Sequence, residues 1–254
     1  MHKRLSAAFG VQPHFWTKLC QDASGFFWSN KHTVRHTTDP DLSYVTCFRL
    51  LVKHQASSTR TSLPSLGYRW EKLGFVSCWR PQGGLVLLCF DLPTYLQQKI
   101  SEDLLNDEIA QYGQGPLSLH PMLLVHIVES FDRAVWSWRD VVRELEKTRL
   151  EYNVVAKRSF EHMHEIARHV IHSSEMLATA ISVTEAVIKQ ARVFAEHDHE
   201  HDLACARVLN DLEFCMSLLT SFLNRSQALE KRLDNEINLA SLVDMLLAYR
   251  FGRC

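Results

Sequence analysis

The sequence predicts an α+β fold: an N-terminal mixed β-sheet with flanking helices, followed by a bundle of three long helices of which the last is coiled-coil-like. Three observations predict it. All seven prolines lie at or before Pro121 and eight of nine glycines at or before Gly115, so the 130 residues from Met122 to Phe251 contain neither. At an average usage of roughly 12% for the pair, about 16 would be expected there, and their absence means long helices. The front is instead punctuated and aromatic, in short segments that suit strands. Thirdly, positions 205 to 247 of the rear carry apolar residues spaced alternately four and three.

The elements follow in order. Phe9 to Cys20 reads as a helix beside the sheet. Gly25 to Trp28, Ser43 to Lys53, Gly67 to Trp79 and Gly84 to Asp91 read as strands of one sheet, and Thr94 to Tyr112 as a second flanking helix. Asn30 to Asp41 and His54 to Ser65 are polar loops expected to be poorly ordered. Leu119-His120-Pro121-Met122 opens the first long helix with proline in its first turn, and Leu124, Val128, Phe131, Val135, Val142 and Leu145 give it a buried stripe up to about Tyr152. The second long helix spans about Lys157 to Ala195, with Met163, Ile166, Ala167, Val170, Leu177 and Ile181 on one side. The third begins after His201 and ends near Tyr249. Of its thirteen four-three positions ten are apolar, the exceptions being Ser226, Glu230 and Asp244. About 46 residues at roughly 1.5 Å each make a rod near 70 Å, which requires its two neighbours in an antiparallel bundle or copies from other subunits. Two domains are expected, an α/β sheet domain over 1–115 and a long-helix, stalk-like bundle over 116–254.

Charge excludes some functions. The chain has 28 basic and 29 acidic residues, and the split at Gly115 gives 12 against 9 in front and 16 against 20 behind, so neither half is a basic nucleic-acid module. Seven dispersed cysteines without a CxxC pair argue against a disulfide framework or a zinc ribbon and for reduced thiols in the cytoplasm. No run approaches the roughly 18 apolar residues of a membrane-spanning helix. The basic start His2-Lys3-Arg4 is followed by an apolar stretch that Ser6 and Gly10 dilute, with no small-residue cleavage site, so no signal peptide is expected.

Histidine forms two clusters. In the first, His164 and His169 are five apart and project in different directions, which fails the four-residue spacing of a zinc-binding HExxH helix; Glu165, His169 and His172 do share a face and could ligate a metal, as a remote metal-dependent hydrolase would need. The blander alternative is a polar face with Glu165 paired to His169. In the second, residues 196–202 are seven consecutive metal-capable side chains, and His197, His199 and His201 are the metal-site candidates, suited to Zn²⁺ or Ni²⁺ over Mg²⁺. The acidic members equally suit the N-terminus of the helix that follows, with Asp202 as cap. No GxSxG, GxxxxGK[ST] or GxGxxG motif occurs, and no catalytic residues are assigned. Asp91, at a strand end, is expected to cap the next helix. Of Trp136 and Trp138, one is expected in the core and the other at a contact between elements.

Several segments resemble a known family: Phe9-Gly-Val-Gln-Pro-His-Phe-Trp16, Leu87-Leu-Cys-Phe-Asp-Leu-Pro93, His120-Pro-Met-Leu-Leu124, Val135-Trp-Ser-Trp-Arg-Asp-Val-Val-Arg143, His164-Glu-Ile-Ala-Arg-His-Val-Ile-His-Ser-Ser-Glu175 and Glu230-Lys-Arg-Leu-Asp-Asn-Glu-Ile-Asn-Leu-Ala240 look like the cytosolic part of fungal CorA-like divalent-cation (magnesium) transporters. The resemblance implies an α/β domain ahead of long helices, the last a stalk leading to the membrane, in a five-subunit assembly. Such relatives carry two transmembrane helices and a Gly-Met-Asn motif after the stalk, whereas this sequence ends at Arg250-Phe-Gly-Arg-Cys254 and has only eight residues before Phe9. A pore-less, non-enzymatic CorA-like domain is therefore expected, serving as a cation-responsive or oligomer-forming accessory. Its expected partners are further copies, a partner helix or a full-length CorA-like transporter, with Mg²⁺ or another divalent cation as the candidate ligand. The competing reading is a coiled-coil scaffold without a metal role.

Overall fold

The computed structural model describes residues 2–34, 41–56, 67–82, 84–106, 112, 115–147, 156–196 and 202–251. A first helix, α1 (His2–Phe9), leads through a 3₁₀ turn (Pro13–Trp16) to a single-turn helix, α2 (Lys18–Gln21). The strands are β1 (Gly25–Val34), β2 (Asp41–Ala56), β3 (Gly67–Arg80) and β4 (Gly84–Phe90). The helices α3 (Thr94–Leu105), α4 (His120–Lys147), α5 (Ala156–Ala195) and α6 (Asp202–Phe251) follow.

The four strands form one sheet in the order β1-β2-β3-β4, and every pairing is antiparallel. A mixed sheet was expected; sequential strands that each pair with the next leave no place for a parallel neighbour. β1 and β2 are longer than expected, so Asn30–Val34 and His54–Ala56 belong to strands, while 35–40 and 57–66 lie outside the described residues. The expected single helix over Phe9–Cys20 is broken. Gly10 takes a left-handed φ of 66°, ending α1, and Pro13, without an N–H, opens the 3₁₀ turn.

Both faces of the sheet are covered. On one, Val45, Cys47, Val76 and Cys78 pack against Val11 and Phe15 of the N-terminal segment. On the other, Phe48, Leu50, Leu73 and Phe75 join the stripes of α4 and α5 in the main core. Double-sided burial explains why β2 reads as a nearly continuous apolar run rather than an alternating one. β2 also outruns β1. Its residues 51–56 pair only with 67–72 of β3, forming a two-stranded ribbon, and the indole of Trp138 on α4 donates 3.0 Å to the Lys53 carbonyl at the ribbon's flank.

The long helices run up, down and up. Ser174 with Ser226 and Arg192 with Glu213 set α5 antiparallel to α6, while Trp136 with Arg225 and Glu146 with Arg232 set α4 parallel to α6. In α6 the buried positions among the described residues are Val208, Leu212, Cys215, Leu219, Ser226, Leu229, Leu233 and Glu236. They share the 212-219-226-233 line with the predicted seam, but Leu209, Met216 and Leu223 are only partly buried. The inward face is wide because it contacts two helices of the same chain. Two of the seam's three polar exceptions are explained: Ser174 Oγ lies 2.8 Å from Ser226 Oγ and hydrogen-bonds the Glu230 carboxylate, pinning α5 against α6.

Candidate functional site

Polar chemistry concentrates on the β2–β3 ribbon, whose two faces treat charge in opposite ways. On one face Glu71, buried, is saturated. His54 Nε2 lies 2.9 Å from its Oε2, Tyr95 of α3 donates 3.0 Å and Ser130 of α4 3.3 Å to that oxygen, and Arg69 donates 2.9 Å to Oε1. Arg133 closes the network onto Tyr95 (2.7 Å) and Ser130 (2.9 Å). Burial alone would raise the Glu71 carboxyl; the contacts from His54, Tyr95 and Arg69 outweigh it and hold the group below the usual carboxylate range. A carboxylate so occupied is a poor base and a poor metal ligand, and a good tie between β2, β3, α3 and α4.

The other face holds a cation with no carboxylate partner among the described residues. Lys53 is 3% exposed, and its Nζ lies 2.9 Å from Nδ1 of His172 on α5. The ammonium sits 4.4 Å from the ring centre of Tyr68 and 5.0 Å from that of Trp70. Beside it His169 is packed between Trp138 (5.0 Å, stacked) and Tyr68 (4.9 Å), and neither of its ring nitrogens has a hydrogen-bond partner. Burial first, and then the charges of Lys53 and Arg168, push His169 down to about 4. Burial and the Arg168 charge lower Lys53, and burial and Lys53 lower His172, with Glu175 opposing both.

A third polar feature lies where β4 leaves the sheet. An open cleft of about 630 Å³ is lined by Gln21, Arg49, Arg69, Lys72, Asp91 and Pro93 among others. Asp91 does not cap α3, whose N-terminus begins after Pro93 without a side-chain cap. Its backbone takes a φ of 61° and its carboxylate pairs instead with buried Arg49 at 2.6 Å. The guanidinium lies against Gly74, where a Cβ would stand 3.2 Å from its Nε, and 5.7 Å from the ring centre of Phe15. A long-range partner has therefore outcompeted the local cap.

The sequence candidates separate. His197, His199 and His201 lie outside the described residues. Glu165, His169 and His172 do not converge on one point: His169 turns inward between aromatic rings, His172 reaches Lys53, and Glu165 does not pair with His169. Among the described residues no group of three His, Cys, Asp or Glu side chains could hold a metal ion. Trp138 is core, and Trp136 lies over Arg139 (5.1 Å) and Arg225 (4.3 Å) at the α4–α6 contact, as expected. Sequence reasoning missed Lys53 and Glu71. Lys53-His54 and Glu71-Lys72 inside apolar strands were the available signal, a charged pair where a sheet interior is expected.

No family model matches the chain. Notoamide biosynthesis cluster protein M' of Aspergillus versicolor is 30% identical over 158 residues, 55% of this chain and 34% of that protein. The chain thus spans about a third of that relative's length. Among solved structures, the ZntB cytoplasmic domain from Vibrio parahaemolyticus RIMD 2210633 aligns over 93% of this chain and 83% of its own, at 12% identity and a TM-score of 0.38, a likeness that carries no functional argument. No described helix is long and apolar enough to cross a membrane.

Proposed function

We propose that this chain is a non-catalytic assembly module of the CorA-like kind, an oligomer-forming or cation-responsive accessory in divalent-cation transport that works in the cytoplasm. The carrying observation is the C-terminal part of α6. Within the bundle its inward face is consumed by α4 and α5, but Leu239, Leu242, Met245, Leu246 and Tyr249 are exposed, from 38% at Leu239 to 69% at Leu246. Spacings of three, four and three place Leu239, Leu242, Leu246 and Tyr249 on one stripe, the pattern of a helix that meets another helix. The partner is a further copy or a helix of a related transporter. The order of four strands ahead of three long helices supports the family reading, as do the family-like segments that fall on α4, α5 and α6. Dispersed cysteines without a CxxC pair support the cytoplasmic assignment.

The experiment is light scattering of the purified chain at tens of micromolar with and without L242D/L246D. An assembly that the double variant reduces to folded monomers, with a melting temperature lower only by what assembly contributes, is the expected result. A wild-type monomer that also fails to bind a CorA-like transporter overturns the proposal.

A further inference from the structure

Lysine is rarely buried this deeply without a carboxylate, and Lys53 has none within ion-pairing distance among the described residues. Its ammonium offers three donors, of which the neutral imidazole of His172 accepts one. Two of the groups around it are further cations or potential cations. Arg168, exposed on α5 and without a hydrogen bond or ion pair among the described residues, acts on it electrostatically, and Lys53 in turn lowers His172, also exposed. The opposing charge is Glu175, one turn beyond His172. The other neighbours are neutral: Tyr68 and Trp70 from β3, Trp138 from α4, and His169, buried with both ring nitrogens unpartnered. Tyr68 and Trp70 are 50% and 38% exposed, so they form a rim above a floor made by Lys53 and His169. A buried ammonium under an aromatic rim, with exposed Arg168 and His172 one turn apart on α5 beside it, has the chemistry of an anion site.

We propose that Lys53, Arg168 and His172 form a binding site for a small free oxyanion of the phosphate type, which adds to the single counter-charge of Glu175. Arg168 and His172 approach the anion from α5 and Lys53 from β2, so an occupied site ties α5 to the ribbon. The aromatic rim exposes π-faces beside the anion, which favours a phosphate monoester carrying a planar group over inorganic phosphate.

The test is thermal unfolding of the intact chain at pH 7 in inorganic phosphate, in adenosine monophosphate and in chloride at matched ionic strength, with imidazole NMR of His172 in parallel. Phosphate is expected to raise the midpoint by several degrees over chloride and to move the His172 titration to higher pH, with the monophosphate acting at lower concentration. R168Q, at an exposed position, is expected to fold normally and to weaken phosphate binding at least fivefold. K53M removes a buried charge, and is expected to be no less stable in phosphate-free buffer and to lose the phosphate response. Equal midpoints in phosphate and chloride overturn the site, as does wild-type phosphate affinity in R168Q. Sedimentation with phosphatidic acid vesicles in the absence of any response to free phosphate also overturns it, by assigning the cluster to a membrane surface.

Discussion

His169 and His120 are imidazoles kept neutral inside the fold, each pushed from 6.5 down to about 4, chiefly by burial. Between those values the unfolded chain binds more protons than the native one, so their contribution is complete above pH 6.5 and is lost as pH falls towards 4. The upper limit is on the order of 3 kcal/mol for each ring. Glu71, held low by its partners, adds a loss of the same sign below its ordinary value of 4.5. Urea midpoints measured from pH 7 to 4.5 should therefore fall steeply, and H169Q should flatten part of that fall. Midpoints constant from pH 7 to 5 would show that both rings are solvated. The 197–201 tract is legible as a candidate only from the sequence. Its test is Zn²⁺ at micromolar concentration, which should raise the melting temperature of the wild type and leave the triple alanine variant of His197, His199 and His201 unchanged. Residue by residue, a helical-wheel argument could place Glu165 beside His169, but it could not see that Trp138 and Tyr68 would enclose the imidazole.

Among the elements, α6 was the most legible and also the most easily misread. Its four-three repeat fixes the boundaries and the 212-219-226-233 line, yet the same repeat suits a seam between subunits or one within the chain. Leu219 and Leu233 are fully buried in the chain's own bundle. L219D or L233D should therefore unfold the protein, at a cost of at least about 3–5 kcal/mol, rather than separate subunits. The contrast with L242D/L246D, which should leave the monomer folded, distinguishes the two parts of the helix. A soluble, folded L219D protein would place that residue at a subunit contact after all. The break at Gly10 and Pro13 was present in the composition of the N-terminal segment and lost to its apolar residues, which fill the second face of the sheet without needing a helix to do so.

Over the whole molecule the main core is continuous across residue 115, joining Leu50, Val52 and Phe75 of the sheet to Ile127, Leu177 and Leu212 of the long helices. Calorimetry of the intact chain should accordingly show one transition, and residues 116–254 expressed alone should bind a hydrophobic dye, because their sheet-facing stripe would meet water. A fragment with a sharp, dye-free transition would make the two parts independent domains. Cation sensing belongs to this scale too: a Mg²⁺ site with a Kd near 1 mM would stabilise the fold by about 1.4 kcal/mol in 10 mM Mg²⁺, roughly 3–6 °C. Flat melting curves in Mg²⁺ and Zn²⁺ after chelation would leave the scaffold reading. What the sequence by itself determined is the fold class, the four strands and the three long helices, because glycine and proline placement and apolar periodicity act locally, through backbone freedom and helix propensity. Only the tertiary structure decided which charges are answered. Glu71 receives partners from three other elements besides neighbouring Arg69, and Lys53 has no carboxylate within ion-pairing distance among the described residues, since most of the neighbours that decide each case come from other elements, and no spacing along the sequence encodes that encounter.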